Sequence, residues 1–177
     1  MLPWALESLD LGEDTLEIGS GYGAASEVLG AHAGGLTCVE LDWVIARSLA
    51  RRTTGTKVRV VQADAKCLPF ADGTFNAAFC FTMLHHISDP VHQDRLLTEV
   101  ARVLRPGGMF VGTDSFAGFL FRMIHAGDNF APVNPRTLRQ RLRAAGFAGI
   151  SVDQRAQDFR FRARRDSFFD GAQGASL

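Results

Sequence analysis

The chain has 177 residues, 46% of them apolar, and its 19 Lys plus Arg are balanced by 19 Asp plus Glu. That length and composition fit one compact domain burying roughly 70% of its extended surface, and they exclude a disordered or fibrous chain. No run of ~18 apolar residues exists to span a membrane, the N-terminus MLPWALESLD lacks the pattern of a secretory signal, and zero net charge argues against a duplex nucleic-acid partner.

Short apolar runs alternate with longer amphipathic ones along the chain. Thr15-Leu16-Glu17-Ile18 reads as a first strand running into glycines, followed by a helix over Ala24 to Ala33. Leu36 to Glu40 is a second strand, and Asp42 is placed to cap a helix from Trp43 to Arg52. Val58 to Val61 is a third strand. Pro69 and Asp72-Gly73 mark turns before a fourth, Ala77 to Phe81. Asp89 and Pro90 open the clearest helix, with Leu96, Val100, Val103 and Leu104 on one face. Arg105-Pro106-Gly107-Gly108 reads as a tight turn feeding strand five, Met109 to Thr113. A helix from Pro135 to Ala145 then leads to two strands, Gly149 to Asp153 and Phe159 to Ala163.

This alternation predicts an α/β fold: a Rossmann-like, doubly wound, mostly parallel seven-stranded sheet with an antiparallel C-terminal hairpin. Residues 1–177 read as one domain, with a core over 14–115, a candidate substrate lid over 115–134, and a helix and hairpin over 135–165. Arginines crowd the region after Pro135 and read as a solvated basic face. Cys38, Cys67 and Cys80 are odd in number and share no CxxC spacing, so neither a disulfide framework nor a zinc site is readable. A cytoplasmic protein is the expectation.

Gly19, Gly21 and Gly23 sit where strand one must turn into the first helix, at the strand end where such sheets place ligands. Gly19 to Ala24 also satisfies G-x-G-x-x-A, which by itself does not separate a dinucleotide site from another nucleoside site. Glu40 ends strand two, 21 positions beyond Gly19, where a carboxylate can accept two hydrogen bonds from vicinal ribose hydroxyls. After strand three, Asp64 is placed to accept a hydrogen bond from an adenine amino group, with the Ala65 N–H offered to the ring; a turn aspartate is the plainer role. Glu17 discriminates. A carboxylate inside the first strand would repel a pyrophosphate but suits a cationic ligand, and S-adenosylmethionine carries a sulfonium and an ammonium and no phosphate.

The runs LEIGSGYGAASEVL, CVELD, QADAKCLPF, FNAAFCFTMLHHISD and LRPGG, in this order over residues 14–115, resemble the class I S-adenosylmethionine-dependent methyltransferases, particularly the methyltransferase type-11 group. The resemblance implies S-adenosyl-L-methionine as cofactor. It implies that Glu17 and the backbone of Gly19, Gly21 and Gly23 surround the methionine portion, with Ser20 in the same turn. Glu40, with Leu41 beside it, matches the ribose acid, Asp64 with Ala65 the adenine contact, and Phe81 the lining of the cofactor and methyl-transfer cavity. Two departures stand out. Only about 14 residues precede strand one, leaving open a more open site, a cut chain or a partner chain there. No N/D-P-P-Y/F motif follows strand four, which argues against methylation of nucleic-acid bases.

Methyl transfer from a sulfonium needs a general base only where the acceptor arrives protonated. His86, His125 and Asp128 are the catalytic candidates, with His85 and Asp114 beside them; no metal site is expected. The apolar run 115–134 points to a lid or pocket wall for an apolar small molecule, with an ordinary amphipathic helix or a homodimer contact as alternatives. The expected partner is thus a small-molecule substrate, with no nucleic acid and no membrane. The competing functions are a non-catalytic binder of S-adenosylmethionine or S-adenosylhomocysteine and, behind it, a nicotinamide-dinucleotide domain.

Overall fold

The computed structural model describes Trp4, Leu6, residues 11–115 and residues 131–168. Strand β1 (Thr15–Ile18) is buried on both faces, as expected of a central parallel strand. Helix α1 (Ala24–His32), β2 (Leu36–Glu40), α2 (Trp43–Arg52) and β3 (Val58–Gln62) follow. Next come β4 (Phe75–Phe81), a 3-10 turn (Leu84–His86), α3 (Pro90–Val103) and β5 (Leu104–Ser115). Helix α4 (Pro135–Ala144), β6 (Phe147–Gln154) and β7 (Asp158–Arg165) complete the described chain. The caps read from sequence hold: Asp42 accepts the Val44 and Ile45 N–H groups, and Asp89 accepts that of His92.

The seven strands form one sheet in the order β3-β2-β1-β4-β5-β7-β6. Strands β1 to β5 are parallel, and β7 runs antiparallel to both β5 and β6. This is the predicted Rossmann-like architecture. Within the hairpin, the later strand is the inner one, so β6 forms the edge. Helices cover both faces. Leu29 of α1 and Leu49 of α2 join Cys38, Phe79 and Val111 on one side. On the other, Leu96 and Val100 of α3 and Leu138 and Leu142 of α4 pack on Phe110, Phe159 and Phe161.

One expected turn is a bulge. Arg105 to Gly108 lie inside β5 rather than before it, because Phe75 pairs with Leu104 and Ala77 already pairs with Met109. Four residues therefore loop out opposite Asn76 before pairing resumes. Gly108 is required there by contact: a Cβ on it would stand 2.8 Å from the Arg105 carbonyl oxygen. Arg105 pins the loop by donating to Asp14 and Asn76. Strand β4 correspondingly begins at Phe75, two residues earlier than its apolar run alone predicts.

Candidate active site

Successive connections move outward from β1 to β3, then return across the sheet to β4. The loops after β1 and β4 therefore diverge, and this switch point opens a crevice at the carboxyl ends of the strands. The crevice is a cleft of about 710 Å³, within the usual range of a small-ligand site. Nine of the ten residues read from sequence as cofactor-binding line it: Glu17, Gly19, Ser20, Gly21, Glu40, Leu41, Asp64, Ala65 and Phe81.

Gly23 does not line the cleft. It caps α1 in the left-handed region (φ 85°), and a Cβ there would meet Leu49 Cδ1 at 2.5 Å. Its place is the packing of the glycine turn against α2. Gly19 is also left-handed (φ 70°), and Met83 runs close enough that a Cβ would lie 2.2 Å from its Cγ. A Cβ on Gly21, by contrast, would meet nothing within 4 Å. The turn thus presents bare backbone to the open cleft. No side chain caps α1, and the buried Ser20 hydroxyl lacks a partner among the described residues.

Glu17 lies in the cleft wall yet is only 2% exposed. Its Oε2 accepts the Ser26 hydroxyl at 2.5 Å and the Cys38 thiol at 3.3 Å. Burial pushes its carboxyl above the usual carboxylate range, and those two hydrogen bonds offset part of the rise. Burial and the neighbouring carboxylate likewise push the Cys38 thiol far up, so it is a hydrogen-bond donor and not a nucleophile. The sequence reading singled out neither Ser26 nor the Cys38 thiol as a partner of Glu17. The signal was the parallel register that sets Cys38 opposite Glu17.

Glu40 is fixed from two sides. Its Oε2 accepts the Gly21 N–H at 2.9 Å and its Oε1 the Asp42 N–H at 3.0 Å. The carboxylate is held with one lone pair on each oxygen still available. Asp64 takes the plainer turn role as well as lining the cleft: it accepts the Lys66 N–H at 2.9 Å and pairs with the Lys66 ammonium at 3.3 Å.

The far wall comprises Phe81, Thr82, Met83, His86, Ile87 and Ser88. Thr82 has a positive φ of 49°, an uncommon state for a β-branched residue, of the kind that clusters at functional sites. Nothing in the sequence announces it. The 3-10 turn beneath is clamped by buried polar groups. Asp114, fully buried, accepts the His85 backbone N–H at 3.2 Å and its ring Nδ1 lies 2.5 Å away. The Gln93 amide donates to the Leu84, Ile87 and Ala131 carbonyls. His85 and Asp114 are therefore buried beside the cleft, whereas His86 lines it and stacks tilted on His85 at 4.2 Å. His125, Asp128 and residues 116–130 of the expected lid lie outside the described residues.

Fold and crevice together define a Rossmann-like domain with its ligand site at the sheet's switch point. Residues 16–112 match the family model described as a methyltransferase domain, and the chain belongs to that family. It is 30% identical over 160 residues to the O-methyltransferase cnsE of Penicillium expansum, covering 84% of this chain and 57% of that protein. It is 36% identical over 106 residues to the fatty-acid O-methyltransferase of Mycolicibacterium smegmatis, covering 59% and 38%. The chain thus spans little more than half the length of the first of these relatives and less of the second. Among solved structures, Haemonchus contortus phosphoethanolamine N-methyltransferase 2 in complex with S-adenosyl-L-methionine superposes with a TM-score of 0.79 at 16% identity, covering 93% of this chain and 51% of that one.

Proposed function

We propose that this domain binds S-adenosyl-L-methionine in the cleft and moves its methyl group to an apolar small-molecule acceptor. The observation that carries the reading is the pair of acids, Glu17 at the end of β1 and Glu40 at the end of β2, facing one crevice across a glycine turn. A buried carboxylate there suits an ammonium and disfavours a pyrophosphate. The unpartnered Ser20 hydroxyl, the uncapped α1 and the bare Gly21 backbone fit the same ligand's carboxylate.

When bound, S-adenosyl-L-methionine supplies a methyl carbon activated by its sulfonium for direct displacement by the acceptor. Glu17 would hold the ammonium and Glu40 would accept from the ribose hydroxyls, with Asp64 and the Ala65 N–H offered to the adenine. Phe81, Met83 and Ile87 give an apolar wall that excludes water and fits an apolar acceptor, as the fatty-acid relative also supports. His86 takes the proton from a hydroxyl acceptor; the clamped turn beneath holds its ring in place.

Incubation with methyl-labelled S-adenosylmethionine and a panel of fatty acids, long-chain alcohols and phenols tests this. Label is expected in the organic phase, and His86→Asn should cut transfer to hydroxyl acceptors by roughly 10²-fold with cofactor affinity unchanged. Tight cofactor binding with no product across the panel would leave a binding module instead.

A further inference from the structure

The rim of the cleft exposes more apolar surface than the cleft itself requires. Tyr22 is 71% exposed, Leu41 64%, Trp43 57% and Val44 72%. Single exposed apolar residues are ordinary, but here two stand in the cleft and two on the adjoining start of α2, and together they form a patch. Tyr22 and Leu41 line the cleft, while Trp43 and Val44 border a depression on the outer face of α2 together with Arg47 and Arg51.

The charge beside this patch is divided: the cleft holds the acids Glu17, Glu40 and Asp64, whereas the depression on α2 is lined by Arg47, Arg51 and Arg52 with no acid among its lining residues. The nearest acid on that side, Asp42, is engaged in capping α2. Along α2 the apolar residues stand at the cleft end and the arginines one and two turns behind, with the Arg47 guanidinium 5.9 Å from the centre of the Trp43 ring. Tryptophan and aliphatic side chains ahead of a cationic band is the layout of a helix end that dips into a lipid interface while its arginines stay at headgroup level.

We propose that this rim docks the domain onto an anionic lipid surface, with the cleft mouth facing the bilayer. No spanning segment is involved: no helix among the described residues is long and apolar enough to cross a membrane. The proposal departs from the sequence expectation of no membrane partner, because exposure of residues 41–44 is invisible before folding. It rests on the apolar-acceptor reading only for its purpose, since an acceptor dissolved in a bilayer would enter at the rim.

The test uses the whole chain, saturated with S-adenosylhomocysteine, mixed with vesicles of equal parts phosphatidylglycerol and phosphatidylcholine or of phosphatidylcholine alone. The protein should sediment with the anionic vesicles only and be released by salt. In a Trp4→Phe background the sole remaining tryptophan, Trp43, should shift its emission to the blue. Arg47→Gln with Arg51→Gln should lower partitioning by about 25-fold, at about fivefold per arginine, while calorimetry shows cofactor affinity intact. Failure of the wild type to sediment with anionic vesicles at low salt would overturn the proposal. So would an unshifted Trp43, or light scattering showing that Trp43→Ser abolishes a dimer instead. None of these outcomes bears on methyl transfer in solution, which the acceptor panel reads separately.

Discussion

Burial raises the Glu17 carboxyl above its ordinary value near 4.5, and the sign of that shift separates stability from binding. The folded chain without ligand holds this proton more tightly than the unfolded one. The group's contribution to stability is therefore full below about 4.5 and is lost as pH rises through the raised folded value. Near neutrality an ionised Glu17 is a cost, one that a cationic ligand offsets. Glu17→Gln should accordingly raise the melting temperature of the free protein at neutral pH while weakening S-adenosylmethionine binding. Thermal scans beside calorimetry read both. For the wild type, affinity should fall on acidification, beginning above the ordinary glutamate range, since the proton competes with the ammonium. Glu40, half-buried and accepting two backbone N–H groups, is tested through binding. Glu40→Ala is expected to raise Kd by one to two orders of magnitude, corresponding to about 1.5–3 kcal/mol for charged hydrogen bonds, and an unchanged Kd would show that Glu40 does not hold the ribose.

Two elements are built on contacts that substitution can probe. Gly23→Ala places a Cβ against Leu49 in a left-handed conformation. It should destabilise the start of α1 by about 1 kcal/mol or more, as positive-φ alanine does, seen as a lowered denaturant midpoint at constant slope. Gln93→Leu removes the donor that two carbonyls of the His86 turn, those of Leu84 and Ile87, share with the Ala131 carbonyl. Each buried carbonyl left without it costs about 1–3 kcal/mol, so the turn should loosen, read as faster amide exchange at His86 and Ile87. The strands and helices were legible in the sequence because apolar period, caps and glycines are local signals. Glu17 and Glu40 were legible as well, since a strand-end acid beside a glycine turn needs no knowledge of the rest of the fold. What stayed hidden depends on register or on closure. Ser26 and Cys38 meet Glu17 only once β1 pairs with β2 and α1 packs back; Asp114 reaches His85 only across β4 and β5. The Arg105–Gly108 bulge carries the composition of a turn, and only pairing with β4 shows it to interrupt a strand rather than precede one.

At the scale of the whole molecule, the sheet divides its labour. Strands β1 and β2 and the loop after β3 present acids to the cleft, and the end of β4 with the turn after it supplies its apolar wall. The antiparallel β6–β7 pair extends the sheet away from the cleft and ties the N-terminal Trp4 to it, with the Arg155 and Arg160 guanidiniums 3.8 and 4.6 Å from the centre of its ring. Ligand binding at the switch point should therefore stabilise the central strands together. Saturating S-adenosylhomocysteine at ~100 times its Kd is expected to add about 2.7 kcal/mol to the unfolding free energy. The crevice over β1 and β2 is expected to accept a cation and to refuse a diphosphate. Parallel calorimetric titrations with S-adenosylmethionine and NADH decide it: the former should bind and the latter give no heat, whereas tight NADH binding with no S-adenosylmethionine binding would contradict the account.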